Sequence, residues 1–202
     1  RFTKASSVIT HSFPIAEFGA QAVSDLAAFV AREASRPTIS DLDTILRNVG
    51  DGDAWNATVQ RTIDACQSGR IEDAITSVGL KRGVSGYILH TLPVAVAGWY
   101  IHFGDFRKTI ETIALLGGDT DTVAAIAGSL AGISCLADGI PDDWVSGIID
   151  RPHGVAYISD IAQVLHNQEV EGTRFSWLLL PRGFVFTAIV LCHGFRRLLP
   201  PY

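Results

Sequence analysis

Two carboxylates and a hydroxyl crowd one short segment, where Asp119, Asp121 and Thr122 directly follow the twin glycines 117–118. Residues two apart do not share a face within a helix. At a glycine turn that leads into a helix N-terminus, however, the two carboxylates can converge, with the threonine hydroxyl beside them. Carboxylate and hydroxyl oxygens suit hard cations such as Mg²⁺, Mn²⁺ or Ca²⁺ and suit zinc poorly. One hypothesis is therefore a divalent-metal site, completed by water or by ligands from another segment.

Helix capping is the alternative explanation, because Asp and Thr are preferred N-cap residues. A second Asp-x-Asp segment, 51–53, competes for the metal role. It is not an EF-hand, since Asn56 and Thr62 occupy the positions that require Gly and Glu. A turn in which Asp53 caps the next helix accounts better for this second segment.

The elements that must position these residues are predicted to be helices, because no window shows a sustained period of two. Ser12 is the predicted N-cap of the first long helix, and Asp105 caps a later one. The 202 residues, 48% of them hydrophobic, suffice for one domain with a sizeable core. We therefore predict a single all-α domain over residues 1–202. Its helices are predicted near 12–34, 40–50, 55–67, 71–78, 87–103, 106–116, 123–135, 155–165 and 177–199, with a further short helix that starts at 141–144.

Composition excludes several classes of protein. A net charge of −5 argues against strong nucleic-acid binding. The apolar run 184–192 is shorter than the roughly 20 residues that span a bilayer, which predicts a soluble protein without a membrane partner. Cys66, Cys135 and Cys192 form no Cys-x-x-Cys pair and are predicted to be buried, reduced thiols of a cytoplasmic protein.

The segment 117–122, followed by Val-Ala-Ala-Ile-Ala-Gly-Ser-Leu-Ala-Gly, closely resembles the C-terminal motif of the ADP-ribosylglycohydrolase family. Three weaker segments occur in the family's order. They are Ile9-Thr10-His11, the loop 83–87 followed by Thr91, and Ile140-Pro141 with Trp144. The resemblance covers about Val8 to Trp144.

This resemblance implies an all-α orthogonal bundle with two Mg²⁺ ions, or Mn²⁺, that hydrolyses N- or O-glycosidic bonds to ADP-ribose. It implies that Asp119, Asp121 and Thr122 are metal ligands and that the two aspartates serve catalysis. It further implies that the residues contacting an ADP-ribose-containing substrate are His11, Gly83, Val84, Ser85, Gly86, Tyr87, Gly117 and Gly118.

The chain also departs from the family pattern. It has neither the Gly-Asp-x-x-Gly element nor the Thr-Asp-Asp-Thr segment of the family's N-terminal part, and it contains no methionine and begins with Arg. We therefore expect the C-terminal part of such a domain, with the missing half of the same protein, or a companion chain, as a partner. The alternative is a catalytically inactive ADP-ribose-binding or crystallin-like structural module.

Overall fold

The structure, a computed structural model, describes residues 2–80, 83–135, 139–148, 153–167 and 177–198. These residues form α-helices and, outside them, one isolated backbone bridge, which confirms the all-α prediction. In chain order the helices are α1 Phe2–Ser7, α2 Pro14–Glu33, α3 Ile39–Val49, α4 Asp53–Ser68, α5 Ile71–Ser77, α6 Ile88–Ile101, α7 Phe106–Ala114, α8 Thr120–Cys135, α9 Asp142–Ser146, α10 Val155–Asn167 and α11 Leu179–Arg197.

The helix boundaries agree with the sequence pattern, with local exceptions. Ser12 is not the cap of α2, because Phe13 occupies the N-cap position and forms no side-chain cap bond. The helix begins instead on Pro14, whose fixed φ angle and missing N–H suit the first helical position. Asp105 caps α7 as predicted, by accepting a hydrogen bond from the backbone N–H of Lys108. The periodicity did not predict α1, because six residues are too few to show a stripe.

The chain divides into two compact units, residues 1–141 and 142–202. The first unit is built around α6, in which every residue from Thr91 to Tyr100 is buried. A helix that is apolar on all sides must be surrounded, and α6 contacts α2, α4, α5, α7 and α8. Glycines let α7 and α8 approach closely, since a Cβ on Gly128 would lie 3.0 Å from Ile110 Cδ1.

A buried hydrogen bond joins α6 to α8. The indole N–H of Trp99, a fully buried side chain, donates to the Ser134 hydroxyl over 2.7 Å. We expect Ser134→Ala to lower the free energy of unfolding by about 1 to 3 kcal/mol, because it leaves a buried donor without its acceptor. Urea denaturation of the chain measures this loss.

Ser129 provides the matched control on the same helix. Both hydroxyls donate to the carbonyl four residues earlier, but Ser129 is exposed. Ser129→Ala should therefore change stability by less than about 0.5 kcal/mol. Equal losses in the two variants would show that the Trp99 bond is not the cause.

The three cysteines differ in their environments. Cys66 is buried, and burial raises the pKa of its thiol to about 12, so this thiol stays neutral at physiological pH. Cys135 is half-buried and Cys192 is exposed. The prediction of three buried thiols is therefore wrong for Cys192, because α11 leaves its apolar residues exposed.

The second unit contains α9, α10 and α11, and none of its described side chains is buried. Apolar residues such as Ile158, Leu165 and Phe184 are largely exposed. The assignment of residues 1–202 to a single domain stays a prediction.

Candidate active site

The glycine loop 83–86 is paired with the acidic segment through backbone hydrogen bonds. The N–H of Val84 donates to the carbonyl of Gly117 over 2.8 Å, and the N–H of Asp119 donates to the carbonyl of Val84 over 3.0 Å. These bonds form the isolated parallel bridge between Val84 and Gly118. Two segments that are distant in sequence thus form one structural unit.

Two glycines permit this close pairing. Gly83 and Gly118 have φ angles of +82° and +81°, in the left-handed region that disfavours residues with a Cβ. A Cβ on Gly83 would collide with the backbone of Gly117, and one on Gly118 would collide with the backbone of Val84. These glycines therefore serve the approach of one backbone to another.

Gly86 of the glycine loop lies directly beside the Asp119 carboxylate. A Cβ built on Gly86 would collide with Oδ2 of Asp119, and it would lie 3.4 Å from Cγ of the same residue. Only a residue without a side chain fits beside the carboxylate in this position. The backbone bridge thus fixes Asp119 from one side, and the glycine leaves room for its carboxylate on the other.

Asp119 and Asp121 are in side-chain contact. A hydrogen bond with the Asp119 carboxyl is the largest cause that lowers the pKa of Asp121, followed by hydrogen bonds from the backbone N–H groups of Thr122 and Asp121. The lowered pKa keeps Asp121 ionised at neutral pH. Two neighbouring carboxylates repel each other when both are ionised, and a bound cation relieves that repulsion.

A cavity of about 700 Å³ lies next to this acidic pair. Its size is typical of small-molecule sites. Its lining is mostly apolar, with a few polar groups supplied by α1, the segment before α2, α6 and α8. The lining residues are Ser7, His11, Phe13, Ile15, Ala16, Gly19, Ala20, Val23, Gly86, Tyr87, Ile88, Thr91, Thr122 and Ile126.

Side-chain hydrogen bonds hold the glycine loop at the start of α6. The hydroxyl of Thr91 donates to the carbonyl of Ser85 over 2.7 Å, and the Ser85 hydroxyl accepts from the N–H of Tyr87 over 3.2 Å. The Tyr87 ring packs edge-on against the ring of His90, with centroids 5.2 Å apart. These contacts orient Tyr87, whose side chain is half exposed at the cavity.

His11 lies between α1 and α2 and lines the cavity. Its ring atom Nδ1 is 2.8 Å from the Thr10 hydroxyl, and its backbone N–H donates to the carbonyl of Ser7 over 2.9 Å. The side-chain contact engages one ring nitrogen, so Nε2 is the nitrogen that can face a ligand.

The residues predicted from sequence fall into two groups. His11, Gly86, Tyr87 and Thr122 line the cavity. The remaining members, Gly83, Val84, Ser85, Gly117, Gly118, Asp119 and Asp121, do not line it; they form or adjoin the paired backbone segments that carry the acidic pair.

Sequence reasoning missed the wall of the cavity that α2 supplies. The sequence pattern gave this helix no role at the site, yet Ile15, part of an apolar stripe on α2, lines the cavity. A second stripe of mostly small residues at 16, 19, 20 and 23 shares that wall. The three- and four-residue spacing of these small residues could have indicated a cavity wall, because small residues on one face leave space beside a helix.

The donor set fits a hard divalent cation in part. Asp119, Asp121 and Thr122 offer oxygen atoms, the ligands that Mg²⁺ prefers, and the contact between two carboxyl groups is relieved by a cation. The described residues contain no cluster of three or more His, Cys, Asp or Glu that could hold a metal. Further ligands would therefore come from water or from outside these residues.

The second acidic segment, residues 51–53, lies at the start of α4. The N-cap of this helix is Gly52, so the prediction that Asp53 is the cap is wrong.

A family model described as ADP-ribosylglycohydrolase matches residues 1–173. The chain belongs to the ADP-ribosylglycohydrolase family. This match covers the cavity, the glycine loop and the acidic pair, and it confirms the resemblance that rested on the segment 117–132.

Three curated relatives extend this comparison. An uncharacterised protein of Archaeoglobus fulgidus is 28% identical over 153 residues, which cover 75% of this chain and 47% of that protein. The ADP-ribosylhydrolase ARH3 of Danio rerio is 32% identical over 107 residues, 48% of this chain and 27% of the relative. The ADP-ribosylarginine hydrolase Tri1 of Pseudomonas putida is 36% identical over 96 residues, 47% and 24% of the two chains.

The matched regions thus span less than half of the length of these relatives. No solved structure matches the chain significantly.

Proposed function

We propose that this ADP-ribosylglycohydrolase-family chain supplies half of a Mg²⁺-dependent site that hydrolyses a glycosidic bond to ADP-ribose. The observation that carries the proposal is the direct pairing of Val84 with Gly117 and Asp119, which places the acidic pair beside a ligand-sized cavity. The names of two relatives, an ADP-ribosylhydrolase and an ADP-ribosylarginine hydrolase, support the same reaction class.

Asp119, Asp121 and the hydroxyl of Thr122 would hold the cation. A bound divalent ion lowers the pKa of water and orients the hydroxyls of a sugar. The lowered pKa of Asp121 supports this role, because a ligand carboxylate must be deprotonated.

The chain's own residues would bind and orient the substrate. The apolar wall of α2 and α6 offers a surface for a base or a ribose face, and it excludes water from that part of the cavity. Tyr87, held edge-on by His90, offers an exposed aromatic ring for stacking. His11 offers Nε2 to a hydroxyl or to a phosphate oxygen.

The test is hydrolysis of an ADP-ribosylated arginine substrate, and of other ADP-ribosyl linkages, by this protein. We expect release of ADP-ribose that requires Mg²⁺ or Mn²⁺, and binding of ADP-ribose in isothermal titration. Binding without hydrolysis of any linkage would favour the inactive ADP-ribose-binding alternative. Absence of both would contradict the proposal.

Gly86→Ala tests whether the position of the Asp119 carboxylate matters to the reaction. We expect a fall in activity of about 10- to 100-fold, because the new Cβ displaces the carboxylate from its place beside the loop. The φ angle of Gly86 is not in the left-handed region, so backbone strain does not contribute.

Gly132→Ala is the matched control, since a Cβ there meets only Phe106 Cε2 at 4.0 Å, an ordinary contact. Activity of Gly132→Ala should be close to that of the unmodified chain, and circular dichroism should show both variants folded. An unaltered rate for Gly86→Ala would show that the carboxylate position does not matter.

A further inference from the structure

Helix α11 of the second unit is long, apolar and exposed. It extends over 19 residues, Leu179–Arg197, and it is the helix among the described residues that is long and apolar enough to cross a membrane. At about 1.5 Å per residue it measures roughly 28 Å, close to the roughly 30 Å of a bilayer's hydrocarbon core. The sequence analysis counted only the charge-free run 184–192 and therefore underestimated the length of this helix.

The apolar residues of α11 surround the helix axis. Residues 184–192 are Phe-Val-Phe-Thr-Ala-Ile-Val-Leu-Cys, which cover all sides of two and a half turns without a charge. A helix that is apolar on all sides belongs either in a protein core or in a membrane. Helix α6 is more uniformly apolar along its length and is buried, whereas α11 is apolar on all sides only in its central run and has no buried part.

Two further observations separate α11 from other apolar helices. It follows 178 residues of chain, so it is not a signal sequence at an N-terminus. It also begins after residue 173, where the match to the ADP-ribosylglycohydrolase model ends. The helix therefore lies outside the segment that the family model matches.

Charges lie only near the two ends of α11. Arg182 is in the first turn, Arg196 and Arg197 are the last two residues, and the helix contains no Asp or Glu. Arginine side chains near helix ends extend to the lipid headgroups, where anionic lipids attract them. The exposed Trp177 just before the helix is a residue type enriched at membrane interfaces.

We propose that α11 inserts into a lipid bilayer and anchors this chain to a membrane that contains anionic lipids. The proposal replaces the expectation of a soluble protein without a membrane partner. It does not depend on the proposed hydrolase activity, because it uses no residue of the cavity or of the acidic pair.

Vesicle flotation of the full 202-residue chain tests the proposal, with vesicles of phosphatidylcholine alone and of phosphatidylcholine with phosphatidylserine. We expect the chain to float with both, more strongly with phosphatidylserine, and to resist extraction at alkaline pH. Ile189→Asp should weaken partitioning at least about 10-fold, because it places a charge at the centre of the helix. Leu165→Asp, an equally exposed apolar position on α10, is the control and should float like the unmodified chain.

A second variant keeps the test decisive if Ile189→Asp does not fold. Arg196→Ala combined with Arg197→Ala should remove the preference for phosphatidylserine and leave binding to phosphatidylcholine. The proposal is overturned if the chain stays in the dense fraction with both vesicles, or if Ile189→Asp floats like the unmodified chain. It is also overturned if light scattering without vesicles shows an oligomer that Ile189→Asp dissociates, since α11 would then be a protein interface.

Discussion

Replacing Asp121 by asparagine is expected to abolish the Mg²⁺-dependent rise in melting temperature and to lower hydrolytic activity by at least about 100-fold. Asparagine keeps a side-chain oxygen that can cap a helix but removes the negative charge that a cation needs. The substitution therefore separates the metal hypothesis from the capping alternative. The same result is expected for Asp119→Asn, because the two carboxyl groups are in contact.

Differential scanning fluorimetry with and without Mg²⁺ measures the first effect. A ligand present at 100 times its Kd should raise the melting temperature of the unmodified protein by roughly 5 to 10 °C. Asp53→Asn is the matched control, because Asp53 also lies in the first turn of a helix that follows a glycine. Its Mg²⁺ response should equal that of the unmodified protein. A full response in Asp121→Asn would support capping and reject the metal role.

Gly118→Ala is expected to lower the free energy of unfolding by about 3 to 5 kcal/mol and to abolish binding at the site. Strain in the left-handed region costs about 1 to 3 kcal/mol, and the collision with Val84 also disrupts two backbone hydrogen bonds worth about 1 kcal/mol each. Loss of the bridge separates the acidic segment from the glycine loop. Urea denaturation and ADP-ribose titration of this protein measure the two effects.

Gly117 makes this prediction specific. It has a φ angle of +72°, but a Cβ there meets nothing within 4 Å. Gly117→Ala should therefore cost only the backbone strain, about 1 to 3 kcal/mol, and should retain binding. Equal losses of stability and binding in the two variants would show that the pairing with Val84 is not important.

Local sequence patterns were sufficient to predict most of the fold. The helix predicted near 55–67 and the Asp105 cap each depend on residues within a few helical turns, and the structure confirms both elements. The predicted Ser12 cap was wrong because the helix starts at Pro14, so the residue before it, Phe13, occupies the N-cap position.

The candidate site could be predicted only in part. The residue types at 119–122 indicate oxygen ligands for a hard cation such as Mg²⁺, because the kinds of ligand atom can be read directly from the local sequence. The bridge from Val84 to Gly117 and Asp119 depends on packing between distant segments, which no local pattern encodes. For the same reason the sequence did not predict the α2 wall of the cavity.

The central claim is that the acidic pair after the twin glycines binds a divalent cation. Crystals of this protein soaked in Mn²⁺ test this directly through the anomalous difference map at the manganese edge. The account predicts a strong peak within about 2.0 to 2.5 Å of carboxylate oxygens of Asp119 and Asp121. A map without a peak there, while both side chains are well ordered, would contradict it.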